Sequence, residues 1–173
     1  MKIAASLVAL VWAFTAPANA APTWQSMAAA PRPAAGYDAG DPGKVIISCD
    51  DNRGLHTYVL AISGPASGLT DGAWTSVRVA GKPVSMTVEV KNGIATLTAA
   101  SSTTRYASND APGDVEVYDA VAAMTRASSI AIASGDFHLT VPAAGLDSAL
   151  AEATTTCGDP EKLSKQVKAR SEP

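Results

Sequence analysis

The residues best able to do chemistry lie around an acidic turn. Asp50-Asp51-Asn52-Arg53-Gly54 is followed by His56, one of only two histidines in the sequence. Asp50, Asp51 and His56 combine carboxylate and imidazole, a donor set that suits divalent cations. Their spacing fits no metal motif, and the D-x-D-x-D-G pattern and distal Glu of an EF-hand loop are missing. A solvated turn explains the same residues. A second acidic cluster, Asp110, Asp114, Glu116 and Asp119, has the residue type that glycoside hydrolysis uses in pairs. It falls where a helix should begin, and the helix dipole stabilises acids at that end. Serines are plentiful, but there is no Gly-x-Ser-x-Gly elbow and no Ser-x-x-Lys. No Gly-rich phosphate loop occurs either. We therefore expect no catalytic residue and no cofactor, and a protein that is not an enzyme.

Binding chemistry is better represented. The run Ser101-Ser102-Thr103-Thr104-Arg105-Tyr106 is a polar loop in which Ser102, Arg105 and Tyr106 can contact a partner. Tyr and Arg are enriched at the energetic centres of interfaces. Trp74, next to an Asp71-Gly72 turn, is a second anchor candidate, although the simpler expectation is that it caps one end of the core.

Around these residues, alternation and turn signals define the elements. Val45 to Cys49 reads as a first strand, and His56 to Ser63 as a second with Tyr58, Leu60 and Ile62 on one face. Ser76 to Val79 is a strand, Ala80-Gly81-Lys82 a turn, and Pro83 to Val90 alternates strictly. Asn92-Gly93 is a strong two-residue hairpin signal. It pairs Lys91 with Ile94, Val90 with Ala95, Val88 with Leu97 and Met86 with Ala99. A Gly135-Asp136 turn likewise pairs Ile132 with Leu139 and Ile130 with Val141, and turns His138 outward opposite Ala133. Asp114 suits a helix N-cap. Val117, Val121 and Met124 then form a buried stripe that ends near Arg126. Leu146, Leu150 and Ala153 make another stripe, leading to Cys157. The expected fold is mostly β or α+β. About six to eight antiparallel strands form a sheet, flattened barrel or sandwich, with one or two short helices near the C-terminus.

The ends carry their own signals. Met1-Lys2 is a positive start, Ile3 to Phe14 is uncharged and mostly apolar, and Pro17 precedes Ala18-Asn19-Ala20. That order predicts a signal peptide over residues 1–20, cut after Ala20, and a mature protein in the periplasm or outside the cell. The stretch is too short to span a bilayer, which takes about 20 apolar residues. Residues 21–43, rich in Ala, Pro and Gly, read as a poorly ordered leader anchored by Trp24. Residues 44–158 read as one β-rich domain and 159–173 as a solvated polar tail. The chain has 173 residues and a net charge of −3, which gives no basic face for nucleic acid. Its two cysteines, Cys49 and Cys157, are expected to form one disulfide in an oxidising compartment. Closing a loop of that size is worth roughly 4.7 kcal/mol in the chain-entropy model.

Several of these features occur together in a known group. They are a Trp-bearing leader, a strand ending in Cys49-Asp50-Asp51-Asn52, the run Phe137-His138-Leu139-Thr140-Val141, and Gly145 to Leu150 leading to Cys157. In this the chain resembles the invasion-associated locus B family and the similar type VI secretion-associated periplasmic proteins. It departs from the first in having only these two cysteines and no Trp just before Cys49. The resemblance implies a periplasmic β-rich domain and carries over no catalytic residue. A weaker resemblance is to periplasmic inhibitors of C-type lysozyme, which present a Ser-Gly-x-x-Tyr loop. Ser102 and Tyr106 match it only in part, and the glycine is missing. The leading functional expectation is a non-enzymatic module that binds a protein or an envelope component. A lysozyme inhibitor-like protein is the first alternative, and a hydrolase or metal-binding protein with an unrecognised site is the second.

Overall fold

The computed structural model describes residues 23–27, 33–40, 43–52, 55–100 and 113–171. Among the described residues, nine strands form one antiparallel sheet: β1 (Gln25–Met27), β2 (Ala34–Asp38), β3 (Lys44–Asn52), β4 (Leu55–Pro65), β5 (Trp74–Val79), β6 (Lys82–Lys91), β7 (Ile94–Ala100), β8 (Ser129–Ser134) and β9 (Phe137–Pro142). Three helices accompany them, α1 (Gly113–Arg126), α2 (Leu146–Cys157) and α3 (Pro160–Ser171). The spatial order of the strands is β1-β2-β3-β4-β7-β6-β5-β8-β9. The mostly antiparallel fold with helices late in the chain is as expected, with one more strand and one more helix than the upper expected numbers.

Turn chemistry fixes the hairpins. Asn92 and Gly93 both have positive φ, 52° and 77°, and set Lys91 opposite Ile94, Val90 opposite Ala95 and Val88 opposite Leu97. The ladder ends at Thr87 and Thr98, one position short of the expected Met86–Ala99 pair. Beyond that point the β6 edge is taken over by α1, where the Glu116 carboxylate accepts the Ser85 N–H at 2.7 Å. Ala80 and Gly81 also have positive φ, so the preceding turn has two residues and Lys82 already belongs to β6. The second hairpin pairs Ile130 with Val141, Ile132 with Leu139 and Ala133 with His138, and His138 is exposed, all as alternation predicts.

One face of the sheet is apolar. Val45, Ile47, Tyr58, Leu60, Ile62, Val84, Met86 and Leu97 are fully buried there. Helix α1 packs on β6, β4 and β7, and α2 covers β1 to β4. The buried stripes Val117–Val121–Met124 and Leu146–Leu150–Ala153 are those that the sequence spacing indicates.

Two stretches differ from expectation. The Ala/Pro/Gly-rich leader contributes β1 and β2, whose Ala35 and Tyr37 are buried. Tyr37 packs at a tilt against the buried Trp24, with ring centroids 5.5 Å apart. The polar tail is a helix packed on α1 that buries Ser164 and Val167. In both cases packing rather than local pattern makes the element.

Among the described residues the ladder is open, with β1 and β9 as its edges. The two edges nevertheless meet through side chains. The Trp24 Nε1–H donates to the Pro142 carbonyl at 2.6 Å. Leu139 lies over Gly43, and the Phe137 ring lies over Gly64. Strand β9 thus touches β4, then the β2–β3 turn, then the residue leading into β1, which curls the sheet into an open roll.

Candidate functional site

The side chains of Asp51 and His56 lie outside the described residues, and only the backbone register of the strands that carry them is described. Strands β3 and β4 pair Asp51 with His56 and Asp50 with Thr57. Among the described residues, no group of three or more His, Cys, Asp or Glu is placed to hold a metal ion.

The acids of α1 also diverge. Glu116 is bonded to the β6 backbone. Asp119 faces α3, where it accepts from the Ser164 hydroxyl and from Lys168 Nζ at 2.6 and 2.8 Å. Burial pushes the Asp119 carboxyl up, but the bonds from Lys168 and Ser164 outweigh it and hold the group below its ordinary value. These are structural contacts, and they do not leave two carboxylates facing one cleft. Asp110 lies outside the described residues. Helix α1 begins at Gly113, which puts Asp114 within its first turn.

Trp74 departs from the expected cap on the core. It opens β5 and its side chain is 73% exposed. The reason is parity. Val77 and Val79 are buried, so Trp74, three residues before Val77, points away from the core. Its backbone is firmly held. Trp74 pairs with Thr87, and the preceding loop is tied down by Gly72 N–H to Val88 O (2.9 Å), Val88 N–H to Ala73 O (3.0 Å) and Val90 N–H to the Asp71 carboxylate (2.8 Å). On the other side, the β8 ladder reaches only Arg78 and Val79. At its end the Ser134 hydroxyl donates to the Ser76 carbonyl at 3.2 Å and lies 3.0 Å from the Thr75 hydroxyl. Trp74 therefore stands where the β5–β8 pairing has stopped. The register places Thr87 and Thr98 beside it on the outer face, with Ser76 and Ser85 one row along.

The other binding candidates, Ser102, Arg105 and Tyr106, lie outside the described residues, as does the expected signal peptide. Cys49 and Cys157 are joined in a disulfide with Cα atoms 5.8 Å apart, tying β3 to the end of α2. Beside it, the Tyr58 hydroxyl donates to the Gly158 carbonyl at 2.7 Å.

One surface feature had no signal in the sequence. A groove of about 280 Å³ runs over the outer face of β1 to β3, floored by Gly36 and Ile46 and walled by Gln25 and Met27. The Lys44–Asp38 ion pair, 3.1 Å, closes one end. Only the pairing of β1 with β2 creates this groove, and composition does not reveal that pairing. No helix among the described residues is long and apolar enough to cross a membrane. In comparisons with known proteins, no family model, no curated protein and no solved structure matches this chain.

Proposed function

We propose that this chain is an exported binding module, without catalytic activity of its own, that engages a protein or another envelope component through the surface around Trp74. The observation that carries this reading is a tryptophan 73% exposed on a strand whose backbone is paired to β6 and whose preceding loop is hydrogen-bonded to the same strand. The backbone beneath this indole is already ordered, so covering the ring gains apolar burial at the cost of side-chain freedom alone. Trp is also among the residues most enriched at interface hot spots. The hydroxyls of Thr87, Ser76 and Ser85 and the exposed Arg78 supply a polar rim. A disulfide persists in oxidising compartments, which supports a location in the periplasm or outside the cell. The sequence resemblance to exported invasion-associated and secretion-associated proteins points the same way and supplies no catalytic residue.

The test is capture from native envelope extract on immobilised, oxidised residues 21–173, run in parallel with the Trp74→Ala variant. The expected result is one stoichiometric partner. Its Kd should weaken by about thirtyfold in the variant, the equivalent of about 2 kcal/mol. Equal binding to both proteins, or no partner above an unfolded control, would overturn the reading.

A further inference from the structure

Helix α3 differs from the rest of the molecule in what holds it. It packs chiefly on α1 along a short stripe, in which Pro160, Ser164 and Val167 are buried and Leu163 is partly buried against the core. Its other links to α1 are polar. Asp119 of α1 accepts from Lys168 and Ser164, and Arg126 of α1 pairs with Glu161 at 2.8 Å. Glu161 is also paired with Lys165 of its own helix at 2.8 Å. By contrast, α1 and α2 are held by fully apolar stripes, and α2 is nailed to β3 by the disulfide.

The covalent closure ends just before α3. Cys157 is bridged, Gly158 is fixed through its carbonyl by Tyr58, and α3 starts at Pro160. Gly158, with φ 90° and ψ 168°, adopts a conformation that is essentially restricted to glycine. The helix beyond it can leave α1 without loosening the disulfide or the sheet. Its first turn, Pro160 and Glu161, also walls a cavity of about 320 Å³ whose other sides include Ala122 and Thr125 of α1 and Leu150 and Thr154 of α2.

We propose that α3 is a detachable strap, held on α1 by a short apolar stripe reinforced by ionic contacts and hinged at Gly158–Asp159, whose release by ionic strength opens the cavity between α1 and α2. The contacts are of the kind that salt weakens. Arg126 and Glu161 are about half exposed, as is Lys168. Charges in that position are screened over a Debye length of about 3 Å at 1 M salt, against about 10 Å at 0.1 M. Acid is a second lever. Asp119 is faced by Lys168 and Ser164 from α3 and by Lys82 at the start of β6, and its carboxyl is held below the ordinary 3.8. Glu161 is faced by Lys165, Arg126 and Asp159, and it too is held low, chiefly by Lys165. Groups depressed in the folded state contribute docking above their free values and lose it as pH falls through the folded ones. Acid release therefore belongs below about pH 4, and near neutrality salt is the effective trigger.

Hydrogen–deuterium exchange followed by mass spectrometry tests this on the full oxidised chain at constant neutral pH. Between about 20 mM and 0.5 M NaCl, residues 160–171 should exchange at least about tenfold faster, while α1 and β6 change by less than about twofold. Asp119→Asn should show the fast exchange already at low salt. The proposal is overturned if residues 160–171 stay as protected as α1 at both salt levels, or if they are unprotected throughout. If Asp119→Asn loses protection in the sheet as well, the salt series on the unmodified protein decides alone.

Discussion

Gly64 and Gly36 are both buried strand glycines, yet they tolerate change differently. A Cβ on Gly64 would run into the Phe137 ring, a side chain only 2% exposed with nowhere to move. A Cβ on Gly36 would meet the end of Met27, which is flexible and 42% exposed. Gly64→Ala should therefore cost about 2 kcal/mol as overpacking, and Gly36→Ala less than about 1 kcal/mol, by urea denaturation. Tyr58 offers a titration test. Burial, opposed in part by hydrogen bonding, pushes its hydroxyl up from 10.0 to about 12. The folded state therefore keeps a proton that the unfolded state gives up, and stability should fall as pH rises from about 10 toward 12. Tyr58→Phe should remove that part of the slope and, through loss of the bond to Gly158, cost about 1 kcal/mol at neutral pH. At this scale the sequence is only half legible. It names Trp74, Asp119 and His56 as residues worth attention. What each one faces depends on strand parity and on neighbours far along the chain. Trp74 reads as a core cap if the strand starts at Ser76, and as an exposed anchor once the strand is extended two residues.

Among the elements, the two hairpins are the most legible, because a two-residue turn fixes register and alternation then fixes faces. The turn at Ala80-Gly81 carries a residual conflict. Ala80 sits at φ 48°, in the left-handed region that a side chain with a Cβ disfavours. Ala80→Gly should relieve this and stabilise the fold by about 0.5–1 kcal/mol, seen as a raised urea midpoint with unchanged slope. Strands β1 and β2 are illegible for the opposite reason. Ala34-Ala35-Gly36 is buried at every position, so there is no polar alternation to read. Their place comes from Trp24, Tyr37 and the cover of α2. Helix α3 escapes notice because so few of its side chains are buried.

For the whole molecule, one covalent link and one side-chain seam hold the roll. Reduction of Cys49–Cys157 frees a separation of 108 residues, and should lower the unfolding free energy by about 2–5 kcal/mol in matched denaturant titrations. The bridge is readable from a cysteine count, but the seam is not. Trp24 bonds to a carbonyl 118 residues later in the chain. That distance sets an order of events. A chain that emerges N-terminus first, from a ribosome or through a membrane pore, exposes Trp24 early and Pro142 late. Trp24 must wait for nearly all the rest to arrive before it finds its partner. Folding dominated by such remote pairings is slow, and the seam between the two edges cannot close until β9 has followed.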